Sequence, residues 1–325
     1  MIRTSGIVLL SAIGILPVWA QHVAGPSLGF VFDGQAGRMR QLNGIPGAAV
    51  LGQARQDGPQ LAGAAVAPDG EFAVARLADS GEAVLWTAAA GVRRLAGVDA
   101  APSRIVLSPT GTSVAFYYAA SRRVAVVTGL PASPSAPHEY SLVPLRSALG
   151  TLAVSDDGAV LLGAESRADS SGSQPAVVAI GESGGLNRMP VSAPATALAF
   201  APNRHDAIVI SPSEAFLVSD PAGTADRSSL PSGLGGATSA AFSADGTRVY
   251  LTLAGPARVA VFDTAKAAAD PVVLECECSP AGLYRMGGQE TYRLTDYQGN
   301  TLWILDGERN PPRIVSVPPA GTSDN

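Results

Sequence analysis

The chain has 325 residues and a formal net charge of −5, with 15% charged and 46% hydrophobic residues. That balance supports a folded core and excludes disorder through the body of the chain; the mild acidity argues against phosphate-backbone binding, so nucleic acid is not an expected partner. Lys266 is the single lysine, which confines Schiff-base chemistry or a lysine-held cofactor to one polar, turn-like stretch.

Residues 1–20 read as a secretory signal peptide: Arg3 is the positive start, Gly6 to Pro17 an apolar run, and Val18-Trp19-Ala20 a small-x-small cleavage site before Gln21. The competing reading is a membrane anchor, for which the run is short. No cysteine follows the run and no arginine pair precedes it, so a lipid anchor and twin-arginine export are not indicated. The expected location is periplasmic or secreted. After a tail over residues 21–26, no later stretch approaches the roughly 18 apolar residues of a transmembrane helix.

From Ser27 onward a unit repeats. An apolar strand runs into a turn at Ala65-Val66-Ala67-Pro68-Asp69-Gly70, at Val106-Leu107-Ser108-Pro109-Thr110-Gly111, at Ala153-Val154-Ser155-Asp156-Asp157-Gly158, and at Ala241-Phe242-Ser243-Ala244-Asp245-Gly246. Ala199-Phe200-Ala201-Pro202-Asn203-Arg204 is a degenerate copy. Asp-Gly suits these turns because glycine reaches positive φ freely and aspartate bonds nearby amides. After the turn at Gly246, Val249 and Leu251 alternate with Arg248 and Tyr250, the pattern of a half-buried strand.

The turn positions 70, 111, 158, 204 and 246 are separated by 41, 47, 46 and 42 residues, the period of a propeller blade. Each turn is followed by a second strand, a third apolar strand, a shorter polar strand and a Pro/Gly/Ser loop. The expected class is therefore all-β, a β-propeller of four-stranded antiparallel blades, formed as one domain by residues 27–319 with a C-terminal tail over 320–325.

The last unit is divergent, with strands over Gly282 to Met286, Glu290 to Thr295, Thr301 to Asp306 and Arg313 to Val317. At the other end, Gly29-Phe30-Val31-Phe32-Asp33 matches a third strand with no room for two strands before it. Seven blades are favoured, with residues 27 to about 58 forming an abbreviated blade from Phe30 to Asp33, Arg38 to Leu42 and Ala48 to Leu51. In a six-bladed ring the same strands pack on the last blade as a clasp. Either arrangement avoids open sheet edges.

The stretch Phe242-Ser243-Ala244-Asp245-Gly246-Thr247-Arg248-Val249-Tyr250-Leu251, followed by Val259-Ala260-Val261-Phe262-Asp263-Thr264, resembles the unit of bacterial exported β-propellers with WD40-like or YVTN-type repeats. The Gly-His and Trp-Asp pairs of intracellular WD40 units are absent. The resemblance implies an architecture shared by periplasmic scaffolds, ligand binders and some lactonases, not one activity.

Cys276 and Cys278 are the only cysteines, a candidate disulfide in an oxidising compartment. A Cα separation near the upper limit for a bridge is expected in an extended strand, shortened by a bend before Ser279-Pro280; free or intermolecular thiols and redox or metal work are the alternatives. His22, His138 and His205 fall in three different settings, each a solvated loop residue, and no metal site is expected of them. Asp69, Asp157 and Asp245 recur at equivalent turns, where the turn role explains them better than calcium. No nucleophile elbow, H-E-x-x-H, Walker or dinucleotide-binding motif is present, so no catalytic residue and no cofactor is assigned.

Arg285, Glu290 and Arg293 are weak channel-lining candidates, charged residues where inner strands are ordinarily small and apolar; mutual pairing is the plain alternative. The loop over Leu130 to Pro144, too rich in proline for a strand, and the segment Glu165 to Pro175 are the insertions on which function would reside. The expected function is a non-enzymatic, exported module binding a protein, peptide or glycan through its loops. The alternative is a hydrolase or lactonase with a site over the channel.

Overall fold

The computed structural model describes residues 25–145, 147–165, 174–231, 234, 236–253, 255, 257–266 and 270–319. The signal-peptide reading, most of the Glu165 to Pro175 insertion and the C-terminal tail fall outside them. Described strands group into seven antiparallel sheets, six of four strands and one of three, arranged as a seven-bladed β-propeller. Among the described residues no helix is long and apolar enough to cross a membrane.

Blade 1 is β1 (Ser27–Asp33), β2 (Arg38–Asn43) and β3 (Val50–Ala54). Blade 2 is β4 (Leu61–Val66), β5 (Phe72–Leu77), β6 (Ala83–Thr87) and β7 (Gly91–Arg94). Blade 3 is β8 (Arg104–Leu107), β9 (Ser113–Tyr118), β10 (Arg123–Thr128) and β11 (His138–Ser141). Blade 4 is β12 (Leu149–Val154), β13 (Leu161–Glu165), β14 (Ala176–Ile180) and β15 (Leu186–Pro190). Blade 5 is β16 (Ala197–Phe200), β17 (Ala207–Ile210), β18 (Ala215–Ser219) and β19 (Asp226–Ser229). Blade 6 is β20 (Ala237–Phe242), β21 (Arg248–Leu253), β22 (Arg258–Asp263) and β23 (Val272–Glu275). Blade 7 is β24 (Tyr284–Arg285), β25 (Thr291–Arg293), β26 (Leu302–Asp306) and β27 (Arg313–Val317). The abbreviated first blade expected from the sequence is present, and the six-bladed clasp is not.

The core lies between blades, each cluster drawing on two neighbouring sheets. Phe72, Val74 and Leu85 of blade 2 meet Val114, Phe116 and Val127 of blade 3, at about 1.5–3 kcal/mol per fully buried side chain. Both faces of a middle strand are thus covered. This corrects the half-buried reading of β21, where Val249, Tyr250, Leu251 and Thr252 are all buried: alternation puts successive side chains on opposite faces, and here each face has a neighbouring blade against it. Outer strands reverse the pattern, β19 being exposed throughout.

The tight turns form as their sequence requires. Gly70, Gly111, Gly158 and Gly246 all have φ between 71° and 82°, and each donates its N–H to the carbonyl three residues earlier. In the degenerate copy the left-handed residue is Asn203, at φ 55°, one position earlier than the glycine. The loop over Leu130 to Pro144 requires a correction: it contains β11, paired to β10 from Val126↔His138 to Arg123↔Ser141, because the prolines flank the four-residue run that pairs rather than interrupt it.

Candidate functional site

The first strand of blades 2 to 7 faces the ring's axis, and together with β1 these strands enclose a cavity of about 930 Å³. Six inner strands converge there, so small residues such as Gly63, Ala65, Ala199 and Ala241 line it and leave the space open. Beside these stand Arg76, Arg104, Arg285 and Arg293, with Asp296 the one carboxylate-bearing residue of the lining among the described residues. A chain of net charge −5 therefore carries a local excess of cations at its centre.

Register divides the arginines between two rims. Arg104 begins β8, Arg293 pairs with Tyr284 at the start of β24, and Arg76, one residue before the end of β5, lies beside Pro102, whose carbonyl accepts its Nη1–H at 3.2 Å. These three share the rim where inner strands start. Arg285 lies at the opposite rim, where Nη2 donates to the carbonyl of Pro109 at 2.9 Å, joining blade 7 to the tight turn of blade 3. Burial pushes its guanidinium pKa down, partly offset by Tyr292, Asp156 and Asp69. Arg104 Nη1 and Arg285 Nε are buried with no partner among the described residues. Arg293 is held by Asp296 at 2.5 Å and stacks over the Tyr284 ring at 4.2 Å from the centroid.

Of the three residues singled out from the sequence, Arg285 and Arg293 line the cavity, whereas Glu290 is not among its lining residues. Glu290 instead accepts from Arg248 Nη1 at 2.8 Å and from the Tyr250 hydroxyl at 2.9 Å. Burial first, and then Glu290, pushes the Tyr250 phenol well above its usual range. Arg76 and Arg104 went unnoticed in the sequence. The signal was present for Arg104, a charge opening the apolar strand Arg-Ile-Val-Leu.

The turn rim carries a polar network. Asp156 Oδ1 accepts from the Thr110 N–H at 2.7 Å and its hydroxyl at 2.6 Å, and Oδ2 from the Asn203 N–H at 2.7 Å, so one carboxylate ties the turns of blades 3, 4 and 5. His205 Nε2 lies 2.9 Å from Asp157 Oδ2, while the Ser155 hydroxyl donates to Asp157 Oδ1 at 2.6 Å. Serine and histidine both address the carboxylate rather than each other, so the group is not ordered as a Ser-His-Asp relay, in which histidine stands between the other two. His205 keeps the loop position expected of it, its side chain 41% exposed and paired with Asp157, whereas the loop reading of His138 is corrected to an exposed residue opening β11, its ring centroid 4.6 Å from that of Tyr140.

The repeated aspartates do turn work. Asp69, Asp157 and Asp245 each accept through Oδ1 the backbone N–H two residues on, at 2.9, 3.0 and 3.0 Å. For Asp157, burial pushes the pKa up, but bonds from Ser155, Ala159 and His205 outweigh it and the net shift is downward; Asp245 is lowered by Ser243 and then by the Thr247 amide. A carboxylate whose folded pKa lies below its unfolded value, about 3.9, contributes stability above that value and loses it as pH falls through the folded pKa. The thermal midpoint is therefore expected to fall as pH drops below about 4, and Asp157→Asn to blunt that fall, as read by a melting series across pH.

Cys276 and Cys278 form a disulfide with Cα atoms 5.1 Å apart, after the outer strand of blade 6. Among the described residues no group of three or more His, Cys, Asp or Glu side chains is placed to hold a metal ion.

No protein-family model matches the chain, and no curated protein matches it in sequence. Solved structures do resemble it. A functionally unknown protein from Desulfotomaculum acetoxidans is 12% identical with a TM-score of 0.57, over 85% of this chain and 92% of that one. Hydrazine synthase of Kuenenia stuttgartiensis is 14% identical with a TM-score of 0.53, over 95% and 99%. The WD40 repeats of RRP9 are 12% identical with a TM-score of 0.54, over 81% and 83%. At these identities the likeness shows the propeller fold alone.

Proposed function

We propose that the chain is an exported, non-enzymatic binding module that holds a carboxylate-bearing protein or peptide partner at its central channel. The observation that carries this reading is the reversal of charge there, four arginines against Asp296. Two of those guanidinium groups keep a buried donor without a partner among the described residues. A buried donor left unsatisfied costs about 1–3 kcal/mol, and a carboxylate is the acceptor that matches a guanidinium fork.

The test is calorimetric titration with triglutamate. Binding is expected, weakened about tenfold by Arg104→Ala and progressively by added salt. Affinity indifferent to Arg104, or equal affinity for trilysine or for a neutral oligosaccharide, would overturn the reading. Its export component is tested separately: N-terminal sequencing of protein recovered from the cell envelope should begin at Gln21, and alkylation without reductant should label neither Cys276 nor Cys278.

A further inference from the structure

Blade 1 differs from the others in which strand it lacks. Inner strands β4, β8, β12, β16, β20 and β24 all run toward the rim of tight turns. β1 runs the opposite way: its start lies at that rim, where the Leu28 carbonyl accepts from Gly287 N–H at 3.4 Å, and its end pairs with Tyr297 at the other rim. Antiparallel to every inner strand, β1 has the direction of a second strand.

Packing agrees. Phe30 of β1 shares a cluster with Ala73 and Ala75 of β5, and Met39 of β2 the same cluster with Val84 and Trp86 of β6. Phe30 also meets Trp86 of β6 edge-on, so β1 lies against the second and third strands of blade 2, and with its direction this makes β1, β2 and β3 the second, third and fourth strands of their blade. No described strand occupies the innermost position. As a consequence, β1 is the one second strand that lines the cavity along its middle, through Phe30 and Phe32; Arg76 and Arg293 reach it only from strand ends.

The edge of β1 turned to the cavity is defined by its backbone. Leu28 accepts from Gly287, and Gly34 donates to the Tyr297 carbonyl at 3.2 Å. In an antiparallel pair, alternate residues direct N–H and C=O to the same edge; the Phe32 carbonyl is taken up in the parallel bridge between Asp33 and Tyr297, which leaves the Phe30 N–H and C=O and the Phe32 N–H directed there between the two contacts. Across the gap, a Cβ added at Gly63 of β4 would meet nothing within 4 Å. An arginine stands at each end, Arg104 and Arg293 at one rim and Arg285 at the other.

We propose that the channel-facing edge of β1 takes up an extended, carboxylate-bearing peptide of a partner protein as the innermost strand of blade 1. This rests on the channel reading above and specifies its ligand. Main-chain hydrogen bonds to β1 supply affinity in the manner of strand addition, small side chains fit beside Gly63 and Ala65, and carboxylates meet the arginines at the strand's ends.

The probe is fluorescein-labelled Glu-Ala-Val-Ala-Val-Ala with a free terminal carboxylate, read by fluorescence anisotropy against the protein as recovered from the envelope. Saturable binding is expected. N-methylation of alternate residues, which removes strand donors while leaving charge and the protein unchanged, should weaken it about tenfold or more, and Arg104→Ala about tenfold. If plain and both N-methylated registers bind alike, or only triglutamate binds, strand addition is overturned while the channel reading stands. If neither peptide nor triglutamate binds, both fail. If the processed chain binds the probe and a chain retaining residues 1–20 refuses it, the segment before β1 is the occupant and a partner's peptide is not.

Discussion

Replacing Gly29 by valine is expected to destabilise the protein by about 3 kcal/mol or more, enough to lower the thermal midpoint markedly and to cut soluble yield. Gly29 has φ +91°, and a Cβ built there would lie 2.5 Å from the Cα of Gly70, which itself has φ +75°. Both obstacles are backbone, so no rotamer change relieves them. The two glycines touch where the start of β1 meets the tight turn of blade 2, so separating them opens the junction between the first two blades. Gly63→Ala is the internal control: it has open space and no positive φ, and its effect on the melting midpoint should fall within about 0.5 kcal/mol.

Trp86→Ala is the second large effect, at about 3–5 kcal/mol. Trp86 is 5% exposed and meets the edge of the Phe30 ring at 4.8 Å between centroids and 73° between planes, an arrangement worth about 0.5–1.5 kcal/mol beyond area burial. The pair is the main aromatic contact between the three-stranded blade and its neighbour. Denaturant unfolding of Trp86→Ala, Phe30→Ala and the double variant should show losses that are not additive, with a coupling of about 0.5–3 kcal/mol. A merely additive double variant would mean that the two rings contribute independently. Trp303 of β26 is only partly buried, and its alanine variant is expected to lose less.

Both effects concern a blade whose existence was legible but whose construction was not. The spacing of Gly70, Gly111, Gly158 and Gly246 carries the ring, because an Asp-Gly turn and alternating strands are local requirements that leave a periodic trace. Gly29-Phe30-Val31-Phe32-Asp33 likewise announced an N-terminal strand. The match to a third strand is corrected: β1 starts at the rim of tight turns beside Gly287 and ends beside Tyr297, the direction of a second strand, and that depth depends on neighbours the local sequence does not record.

The candidate site divides in the same way. Arg285 and Arg293 stood out as charges in strands expected to be apolar. Glu290, equally conspicuous, was drawn away by Arg248 and Tyr250 of the preceding blade, 42 and 40 residues distant in sequence. Asp156 looked like one more turn residue beside Asp157, yet it bonds to turns of two other blades.

By itself, then, the sequence determined what short-range chemistry governs: the strands, the glycine turns and the repeat, with seven blades favoured over six until the three-stranded first sheet settled the count. Only the tertiary structure decided which charges share the channel, which carboxylates tie blades together and which edge of blade 1 faces the axis. The physical reason is distance along the chain. A turn is settled by four neighbouring residues, whereas the arginines at positions 76, 104, 285 and 293 converge only when the ring closes, and nothing in their local sequence records the partner that closure supplies.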